Sequence, residues 1–411
     1  MGRHPARRHV RPDEAPIGRR IRQRRRELGM TQSALAGPDY TKSFISQLEG
    51  GFADPSLDTL RYLARRLHTS LSGIAGDVQD QRLAALEGLV AWARDLAASR
   101  HATLARRALE LAADLAATGG WTLQRADALL ALAELEIDSG RLERAAVVLQ
   151  ELDAIAAGLG VRVLARRDLV AGSLAMRRGD AAAAAALFRE ALGRLRSPAR
   201  QPDLTVRLLL AYATAAVQRG DVRQARRRLD VAARLAARYG LGALLARALL
   251  GLGLLAHGQE ATAEALETLE RARQTARGAG DRRTELECLI HLGRVHLAAG
   301  EAAAALEAAQ EASTLAQVVG DDSAPARAAA VLGRAMLAQG RADDALPMLE
   351  GAVSRLGPED HAQELAEAAD ALGRHHQARN EQERAAHYFE IALGAARVGR
   401  LQAGRALLSI A

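Results

Sequence analysis

The chain has 411 residues, and its formal net charge of +7 falls entirely on the first fifth of the sequence. Residues 1–76 carry 14 Lys and Arg against 7 Asp and Glu, whereas the rest of the chain holds equal numbers of basic and acidic residues. The single cysteine, Cys288, excludes a disulfide framework, and aromatic residues at 3% disfavour a β-rich fold. The charge distribution predicts a polyanion-binding surface near the N-terminus, joined to a neutral helical body.

The sequence contains no stretch of about 18 uncharged apolar residues and no apolar secretory segment at its start. We therefore expect a cytoplasmic protein without a membrane partner. No paired general acid and base, metal-ligand spacing or phosphate-binding glycine motif stands out, and Cys288 has no candidate base beside it. These patterns predict a binding protein that uses no cofactor or metal and is not an enzyme.

Residues 1–16 form a basic, proline-punctuated segment that we expect to be a disordered arm. Its arginines are Arg3, Arg7, Arg8 and Arg11. Such an arm either follows the phosphates or the minor groove of DNA, as other N-terminal arms do, or is a solvated tail without a defined contact.

Five short helices are predicted within residues 17–76. The first is amphipathic and ends at Gly29. Thr31, Thr41 and Ser56 are expected to cap the next three, because hydroxyl oxygens accept the free N–H groups of a first helical turn. The predicted elements span residues 17–28, 31–36, 42–49, 57–67 and 70–74.

Four motifs in this segment resemble the lambda Cro-like helix-turn-helix domains of the XRE regulators. They are Leu28-Gly29-Met30-Thr31-Gln32, Leu35-Ala36, Ser43-Phe44-Ile45-Ser46-Gln47-Leu48-Glu49-Gly50 and Pro55-Ser56-Leu57. One departure is the turn between Ala36 and Thr41, which is one residue shorter than the commonest form and alters the pitch of the third helix. The resemblance implies a small five-helix, lambda-repressor-like DNA-binding domain over residues 17–76.

The same resemblance implies that the third helix enters the major groove of double-stranded DNA. Gln47 would hydrogen-bond an adenine edge, Lys42 would contact phosphate or guanine, and Gln32 would lie at the DNA backbone. For Ser46 and Gln47 the alternative is a solvated helix face. The expected DNA-binding residues are Gln32, Thr41, Lys42, Ser43, Ser46 and Gln47, with Arg24 and Arg25 from the first helix.

A period of about 40 residues dominates the chain after residue 76. Each unit has a turn residue, an Ala five positions later, and a small residue seven positions before the turn. The predicted turn and Ala residues are Arg100/Ala105, Gly140/Ala145, Gly179/Ala184, Gly220/Ala225, Gly258/Ala263, Gly300/Ala305, Gly340/Ala345 and Asn380/Ala385. The predicted small residues are Ala93, Ala133, Gly172, Ala213, Gly251, Gly293, Gly333 and Gly373.

A third mark follows half a period later and is expected to end the second helix of each unit. Its members are Gly120, Gly160, Pro198, Gly240, Gly280, Gly320, Gly357-Pro358 and Gly399.

This pattern resembles the tetratricopeptide repeat, most clearly at Leu292-Gly293, Leu332-Gly333 and Leu372-Gly373. The period is longer than the standard repeat of about 34 residues, and HEAT-like repeats of longer period are the alternative architecture. The resemblance implies an all-α chain in which residues 77–411 form a tetratricopeptide-type α-solenoid of about eight helix pairs, with a concave surface for a ligand.

Three arginines, Arg294, Arg334 and Arg374, each follow the small residue of a repeat at 40-residue intervals. In tetratricopeptide folds this position faces the concave groove, where guanidinium groups would suit a carboxylate-bearing ligand such as a peptide. The alternative is a structural ion pair with a residue such as Glu287 or Glu367. Weaker groove candidates are Arg166, Arg207, Thr214 and Glu134.

A helix-turn-helix domain joined to such a repeat resembles the peptide-responsive quorum-sensing regulators. The resemblance implies a transcription regulator whose repeat domain binds a short peptide or a protein partner. A homodimer is expected, with DNA half-sites about one helical turn apart. The alternatives are a protein-docking scaffold and an antitoxin-like autorepressor, in both of which the repeat mediates protein–protein contacts.

Overall fold

The computed structural model describes residues 16–53, 55–75, 77–99, 101–156, 158–195, 200–319 and 322–401. Over these residues every regular element longer than a single turn is an α-helix, which confirms the all-α prediction. Apart from Pro16, the predicted basic arm lies outside the described residues. By internal contacts the chain divides into two compact units, residues 1–170 and 171–411, and each is described by itself.

Five short helices open the first unit, as predicted. They are α1 (Pro16–Glu27), α2 (Gln32–Ala36), α3 (Lys42–Glu49), α4 (Leu57–Arg66) and α5 (Leu71–Ala75). Their starts are fixed by the predicted hydroxyl caps: Thr31, Thr41 and Ser56 each accept the backbone N–H three residues on, at 3.0, 3.1 and 3.0 Å. Replacing such a cap by Ala typically lowers the free energy of unfolding by about 1 kcal/mol.

One apolar core holds these five helices together. Each of its large side chains is almost completely removed from water, which stabilises the fold by roughly 1.5–3 kcal/mol per residue. The core comprises Ile21, Leu35, Ile45, Leu48, Leu57, Leu60, Leu63, Leu67 and Ile74. Leu83 of the following helix belongs to the same core, and Trp121 packs against it, so the five-helix domain is anchored on the start of the repeat.

The rest of the described chain consists of eight successive helix pairs, in agreement with the predicted number. The first unit holds α6 (Asp77–Ala98), α7 (Ala102–Thr118), α8 (Thr122–Asp138), α9 (Leu142–Ala154) and the start of α10 (Val161–Arg177). The second unit continues with α11 (Ala181–Arg194), α12 (Pro202–Gln218), α13 (Val222–Arg238), α14 (Gly242–Gly258), α15 (Thr262–Ala279), α16 (Arg282–Ala298), α17 (Ala302–Val319), α18 (Ala324–Ala338), α19 (Ala342–Arg355), α20 (Pro358–Ala378) and α21 (Gln382–Leu401).

The turn between the two helices of a pair takes a left-handed residue at most of the predicted sites. The confirmed turn residues are Gly140, Gly179, Gly220, Gly300, Gly340 and Asn380. The Ala five residues later is buried in each of these pairs, because it lies where the two helices approach closely. The predicted turn at Arg100 lies outside the described residues, although its Ala105 is fully buried.

The prediction for the fifth pair was displaced by two residues. Gly258 is the last residue of α14, and the left-handed turn residue is Glu260, at φ +61°. The correct turn, Ala and small residue are Glu260, Ala265 and Gly253, in place of Gly258, Ala263 and Gly251. A strict spacing of 40 residues from Gly220 to Glu260 to Gly300 would have predicted these three positions correctly, but the turn was assigned to the glycine at 258.

In four of the pairs the small residue is a glycine that accommodates a bulky side chain nine positions after the turn. A Cβ added at the glycine would lie 2.2 Å from the opposing side chain at Gly172 and 2.7 Å from it at Gly253, Gly333 and Gly373. The opposing residues are Phe188, Leu269, Leu349 and Phe389, in that order. In the sixth pair the opposing position is Ala309, and Val331 of the next pair fills the space over Gly293 instead.

The half-period marks are confirmed in part. Helices end just before Gly120, Gly240 and Gly280, each in a left-handed conformation, and Gly357-Pro358 opens α20. Near Gly160 the left-handed residue is instead Gly158. The prediction for Gly399 was wrong, because α21 continues through it to Leu401. Pro198 and Gly320 lie outside the described residues.

Candidate nucleic-acid interface and charged helix faces of the repeat

Helix α3 separates into a buried and an exposed face. Ile45 and Leu48 are 0% and 1% exposed and belong to the domain core. The opposite face carries short polar side chains and a single cation. Its exposed residues are Thr41, Lys42, Ser43, Ser46 and Gln47, all of which were predicted from the sequence to lie on one surface. A helix that projects hydroxyl, amide and ammonium groups from one face has the donor and acceptor types that read base edges.

Three aromatic rings connect α3 and the turn before it to α4, a role that was not predicted from the sequence. Tyr40 stacks on Phe44 at a centroid distance of 5.2 Å and meets Tyr62 edge to face at 5.1 Å. The Tyr62 hydroxyl donates to the carbonyl of Ala36 at 2.9 Å, and the Tyr40 and Thr59 hydroxyls are 3.0 Å apart. Burial raises the pKa of Tyr40. The short turn before α3 is therefore braced against α4.

Arg25 and Gln32, both predicted to contact DNA, make side-chain hydrogen bonds within the domain. The Arg25 guanidinium donates to both carboxylate oxygens of Glu49, at 2.5 and 2.9 Å, and to the carbonyl of Met30 at 2.7 Å. The Gln32 amide donates to Glu49 at 2.9 Å. Burial disfavours a charged Glu49, but the bonds from Arg25 and Gln32 outweigh burial and lower its pKa. The geometry thus assigns Arg25 to the clamp that ties α1 to α3.

Three other arginines of α1 differ in their hydrogen bonds and exposure. Arg24 donates to the carbonyl of Leu67 at 3.2 Å and to Glu27 at 2.9 Å, and is 39% exposed. Arg22 and Arg26 are exposed on the same helix. The alternation of bound and exposed arginines follows the helical period, a signal that could have separated Arg25 from its neighbours in the sequence.

In the second unit, the predicted arginine ladder is engaged in ion pairs. Arg294 of α16 is 5% exposed and donates to both oxygens of Glu367 of α20, at 3.1 and 2.7 Å. Arg334 of α18 donates to the same carboxylate. Arg374 pairs with Asp370 of its own helix, at 2.7 Å, and its side chain is 74% exposed. The structural alternative therefore describes Arg294, and Glu367 is the shared acceptor.

A second buried ion cluster lies beside the first, and its central residue, Arg327, was not among the residues predicted from the sequence. Arg327 of α18 donates to Glu287 of α16 at 2.6 and 2.7 Å and to Glu364 of α20 at 3.0 and 3.1 Å. Burial opposes ionisation of Glu364, but Arg327 and Arg294 outweigh it and lower its pKa to about 2. The signal was available, because charges of alternating sign recur at 40-residue intervals along these helices: Arg247, Glu287, Arg327 and Glu367.

His291 lies inside this network and is neutral near pH 7. Its Nδ1 is 3.1 Å from the Arg294 guanidinium, and burial together with Arg294 lowers its pKa to about 4. A neutral imidazole keeps the network balanced between three arginines and three glutamates.

The weaker groove candidates are placed as follows. Arg166 donates to Asp127 at 2.5 Å, Thr214 is buried with its hydroxyl donating to the carbonyl of Leu210 at 3.2 Å, and Arg207 is exposed. Within the described residues no group of three or more His, Cys, Asp or Glu side chains is arranged to hold a metal ion. No described helix is long and apolar enough to cross a membrane.

Comparison with known proteins supports both parts of this architecture. A helix-turn-helix domain family matches residues 16–74. No protein of curated function matches the sequence significantly. The helix-turn-helix domain recognised in the sequence is therefore confirmed.

Solved structures resemble the chain over most of its length. Aspartyl phosphate phosphatase F from Bacillus subtilis is 14% identical, with a TM-score of 0.56 over 95% of this chain and 96% of that one. The Rap conjugation gene regulator of plasmid pLS20, in complex with the Phr* peptide, is 12% identical, with a TM-score of 0.53 over 94% and 97%. The apo form of RapI is 13% identical, with a TM-score of 0.54 over 65% and 95%. At such identities the likeness concerns the fold alone and supports the long helical repeat, whereas the helix-turn-helix domain rests on the family match to residues 16–74.

Proposed function

We propose that the protein is a sequence-specific DNA-binding transcription regulator that acts as a homodimer and whose repeat domain binds a short peptide. The observation that carries the DNA-binding part is the exposed polar face of α3, which bears Lys42, Ser43, Ser46 and Gln47. Side chains of this kind at the start of a recognition helix read base edges in the major groove. A basic domain adds the phosphate attraction that non-specific affinity requires.

The roles within this face follow from side-chain chemistry. The Gln47 amide offers a donor and an acceptor that match the N6 and N7 edge of adenine, so it contributes to specificity. Lys42, together with the exposed Arg22 and Arg26 of α1, contacts phosphates and contributes to affinity for any duplex. Arg25 is not assigned to DNA, because its guanidinium is committed to Glu49.

The test is selection of bound duplexes from a random-sequence pool by the full chain, followed by affinity measurements on the enriched and a scrambled duplex. We expect an enriched palindrome, and a Gln47→Ala variant that loses about tenfold affinity for the enriched duplex but little for the scrambled one. Lys42→Ala should weaken both duplexes alike and make the salt dependence shallower. Gln382→Ala, an exposed glutamine of α21, is the matched control.

The proposal of DNA recognition by α3 fails if no motif is enriched, or if Gln47→Ala weakens both duplexes equally. A failed enrichment would favour the protein-docking scaffold, in which the repeat is the functional part.

The peptide part is supported by the repeat fold and by the ion cluster on its helices. The similar Rap regulator of pLS20 was solved with a peptide bound. In this chain Arg294 and Arg334 converge on the Glu367 carboxylate, whose side chain is 25% exposed. Arg334 is the more accessible of the two, with a side chain 22% exposed, so the C-terminal carboxylate of a peptide would bind here by competing with Glu367 for Arg334, while Arg294 keeps its structural pair.

A pool of synthetic heptapeptides with free C-terminal carboxylates, compared with the same pool amidated, tests this part. We expect the free pool alone to raise the melting temperature and to change affinity for the enriched duplex, since a ligand shifts an equilibrium only by its differential affinity for the two states. Arg334→Gln should reduce the response, while Arg341→Gln, which pairs locally with Asp344, should not. Equal responses to the two pools would contradict the assignment.

A further inference from the structure

The first helix pair carries an exposed apolar stripe. Leu104, Leu111 and Leu115 of α7 are 48%, 51% and 46% exposed, and their spacing of seven and four residues puts them on one side of the helix. Trp92 of α6 is 52% exposed. A contiguous group of large apolar side chains in water commonly marks a surface that another protein covers.

Corresponding positions in later pairs show what this face does. Arg144, which precedes the buried Ala145 as Leu104 precedes Ala105, bonds Glu110 of the preceding pair at 3.2 Å. Glu264, which likewise precedes the buried Ala265, pairs with Arg226 on α13 of the preceding pair.

Leu111 has a counterpart of the same kind. Glu311 follows the buried Ala305 by six residues, as Leu111 follows Ala105, and it bonds Arg273 of the preceding pair at 2.7 Å. In the second, fifth and sixth pairs, this side of the second helix therefore contacts the preceding helix pair. The first pair has no helix pair before it, so the stacking face of α7 is left open, and it carries leucines where these three later pairs have charges.

The five-helix domain does not cover this stripe. It packs on the beginning of α6 through Leu83, and Trp92 and the three leucines stay exposed with it in place. Residues 1–15 contain only Met1 and Val10 as large apolar side chains, so their composition is unsuited to the task. Terminal units of repeat proteins normally present a polar outer face, because otherwise they aggregate.

Two charges flank the stripe in a self-complementary order. Arg107 and Asp114 are both exposed, and neither has an ion-pair partner among the described residues. In two antiparallel copies of α7 that cross at Leu111, Arg107 lies opposite the partner's Leu115, one residue or about 1.5 Å of helix rise from the partner's Asp114. A two-fold axis repeats that pairing, as an isologous interface requires.

We propose that the α7 stripe is the homodimer interface, with a second copy of this chain packed two-fold on Leu104, Leu111 and Leu115. This inference deepens the homodimer of the proposed function and rests on it. The leucines supply the apolar centre of the interface, and the paired Arg107 and Asp114 set the antiparallel register. A head-to-tail contact would leave these charges without their symmetric partners and would build open chains instead of a closed dimer.

The test is the molar mass of the full chain by light scattering and sedimentation over a concentration series, without DNA. We expect the wild type to be a dimer and Leu111→Glu to raise the dissociation constant at least a hundredfold, because the two-fold axis brings both carboxylates together. Arg107→Asp and Asp114→Arg should each raise it about tenfold, and the double variant should restore it to within about threefold. Val318→Glu, at an apolar side chain 74% exposed on α17, is the matched control.

The outcomes separate the surface from the dimer. A dimeric wild type with rescue by the double charge exchange supports the proposal even if Leu111→Glu fails to fold. A dimeric wild type whose charge variants and Leu111→Glu all remain dimers overturns this surface and leaves the homodimer standing. A wild type that is monomeric at all concentrations, or that grows into open chains, overturns both.

Discussion

Replacing Arg327 by Met should lower the free energy of unfolding of the second unit more than a substitution on its surface does. Its guanidinium, in a residue 7% exposed, bridges Glu287 and Glu364, which come from the helices on either side in the repeat. Methionine fills a similar volume but leaves both carboxylates buried without their main counter-charge. Breaking a buried pair in this way typically costs 3–5 kcal/mol, because an uncompensated charge remains in a low-dielectric interior. We expect a loss of about that size.

The matched comparison is Arg374→Met, which breaks an ion pair to Asp370 on an exposed helix surface. Exposed pairs of this type contribute about 0–1 kcal/mol, so the two variants should differ severalfold in their effect. The measurement is urea denaturation of each full-length variant at pH 7, followed by far-ultraviolet circular dichroism.

The pH dependence gives an independent check of sign. In the wild type Glu364 has a pKa of about 2, so its contribution to stability is present above its ordinary value near 4.5 and is lost as the pH falls toward 2. In Arg327→Met, burial raises the pKa of both freed carboxylates, and they take up protons at higher pH. The stability deficit should therefore shrink between pH 7 and pH 4.

A loss below about 1 kcal/mol at pH 7, or a deficit that stays constant between pH 7 and pH 4, would refute the argument from buried charge. Replacing all three residues together, as Glu287→Leu, Arg327→Met and Glu364→Leu, should recover most of the lost stability, because well-packed apolar groups often match a buried ion pair.

Three further predictions concern the framework. Arg25→Ala should lower the melting temperature of the five-helix domain in calorimetry, because the charged hydrogen bonds to Glu49 contribute roughly 1.5–3 kcal/mol. An unchanged melting temperature together with weakened DNA affinity would instead indicate that Arg25 contacts DNA. Gly333→Val should destabilise the repeat by at least about 1–3 kcal/mol in urea, because its Cβ would lie 2.7 Å from a leucine carbon, and wild-type stability would disprove the close approach. By contrast, Gly351→Ala in α19 has open space and should be neutral or stabilise by up to about 1 kcal/mol in the same assay.

The elements that the sequence predicted correctly are those governed by local chemistry. The hydroxyl caps at Thr31, Thr41 and Ser56, and the left-handed glycines such as Gly140, depend on one residue and its nearest backbone groups. The alternation of apolar and polar positions in α3 likewise follows from the helical period alone, so its exposed face could be assigned without coordinates.

The predictions that were wrong concern residues whose role is decided by a contact with a distant part of the chain and not by their neighbours in sequence. Glu260 takes the turn that Gly258 was expected to take: two sequence signals disagreed there, the 40-residue spacing and the glycine, and the packing of Gly253 against Leu269 agrees with the spacing. The helical period puts Arg25 and Arg24 on different faces of α1, but only the tertiary structure shows that Arg25 meets Glu49, which lies 24 residues further along the chain.

By itself, the sequence determined the two-part organisation: a basic helix-turn-helix domain, then helix pairs repeating every 40 residues. Composition, helix caps and periodicity are local or additive properties, so they can be assigned from the sequence without knowing which helices pack together. Only the tertiary structure decided that Arg294 and Arg327 are buried between helices two repeats apart in sequence, and that the leucines of α7 face open solvent. Both facts depend on which surface each helix packs against. A buried charge is stabilised only if an opposite charge lies across the interface, and an apolar stripe stays exposed only if no helix packs on it.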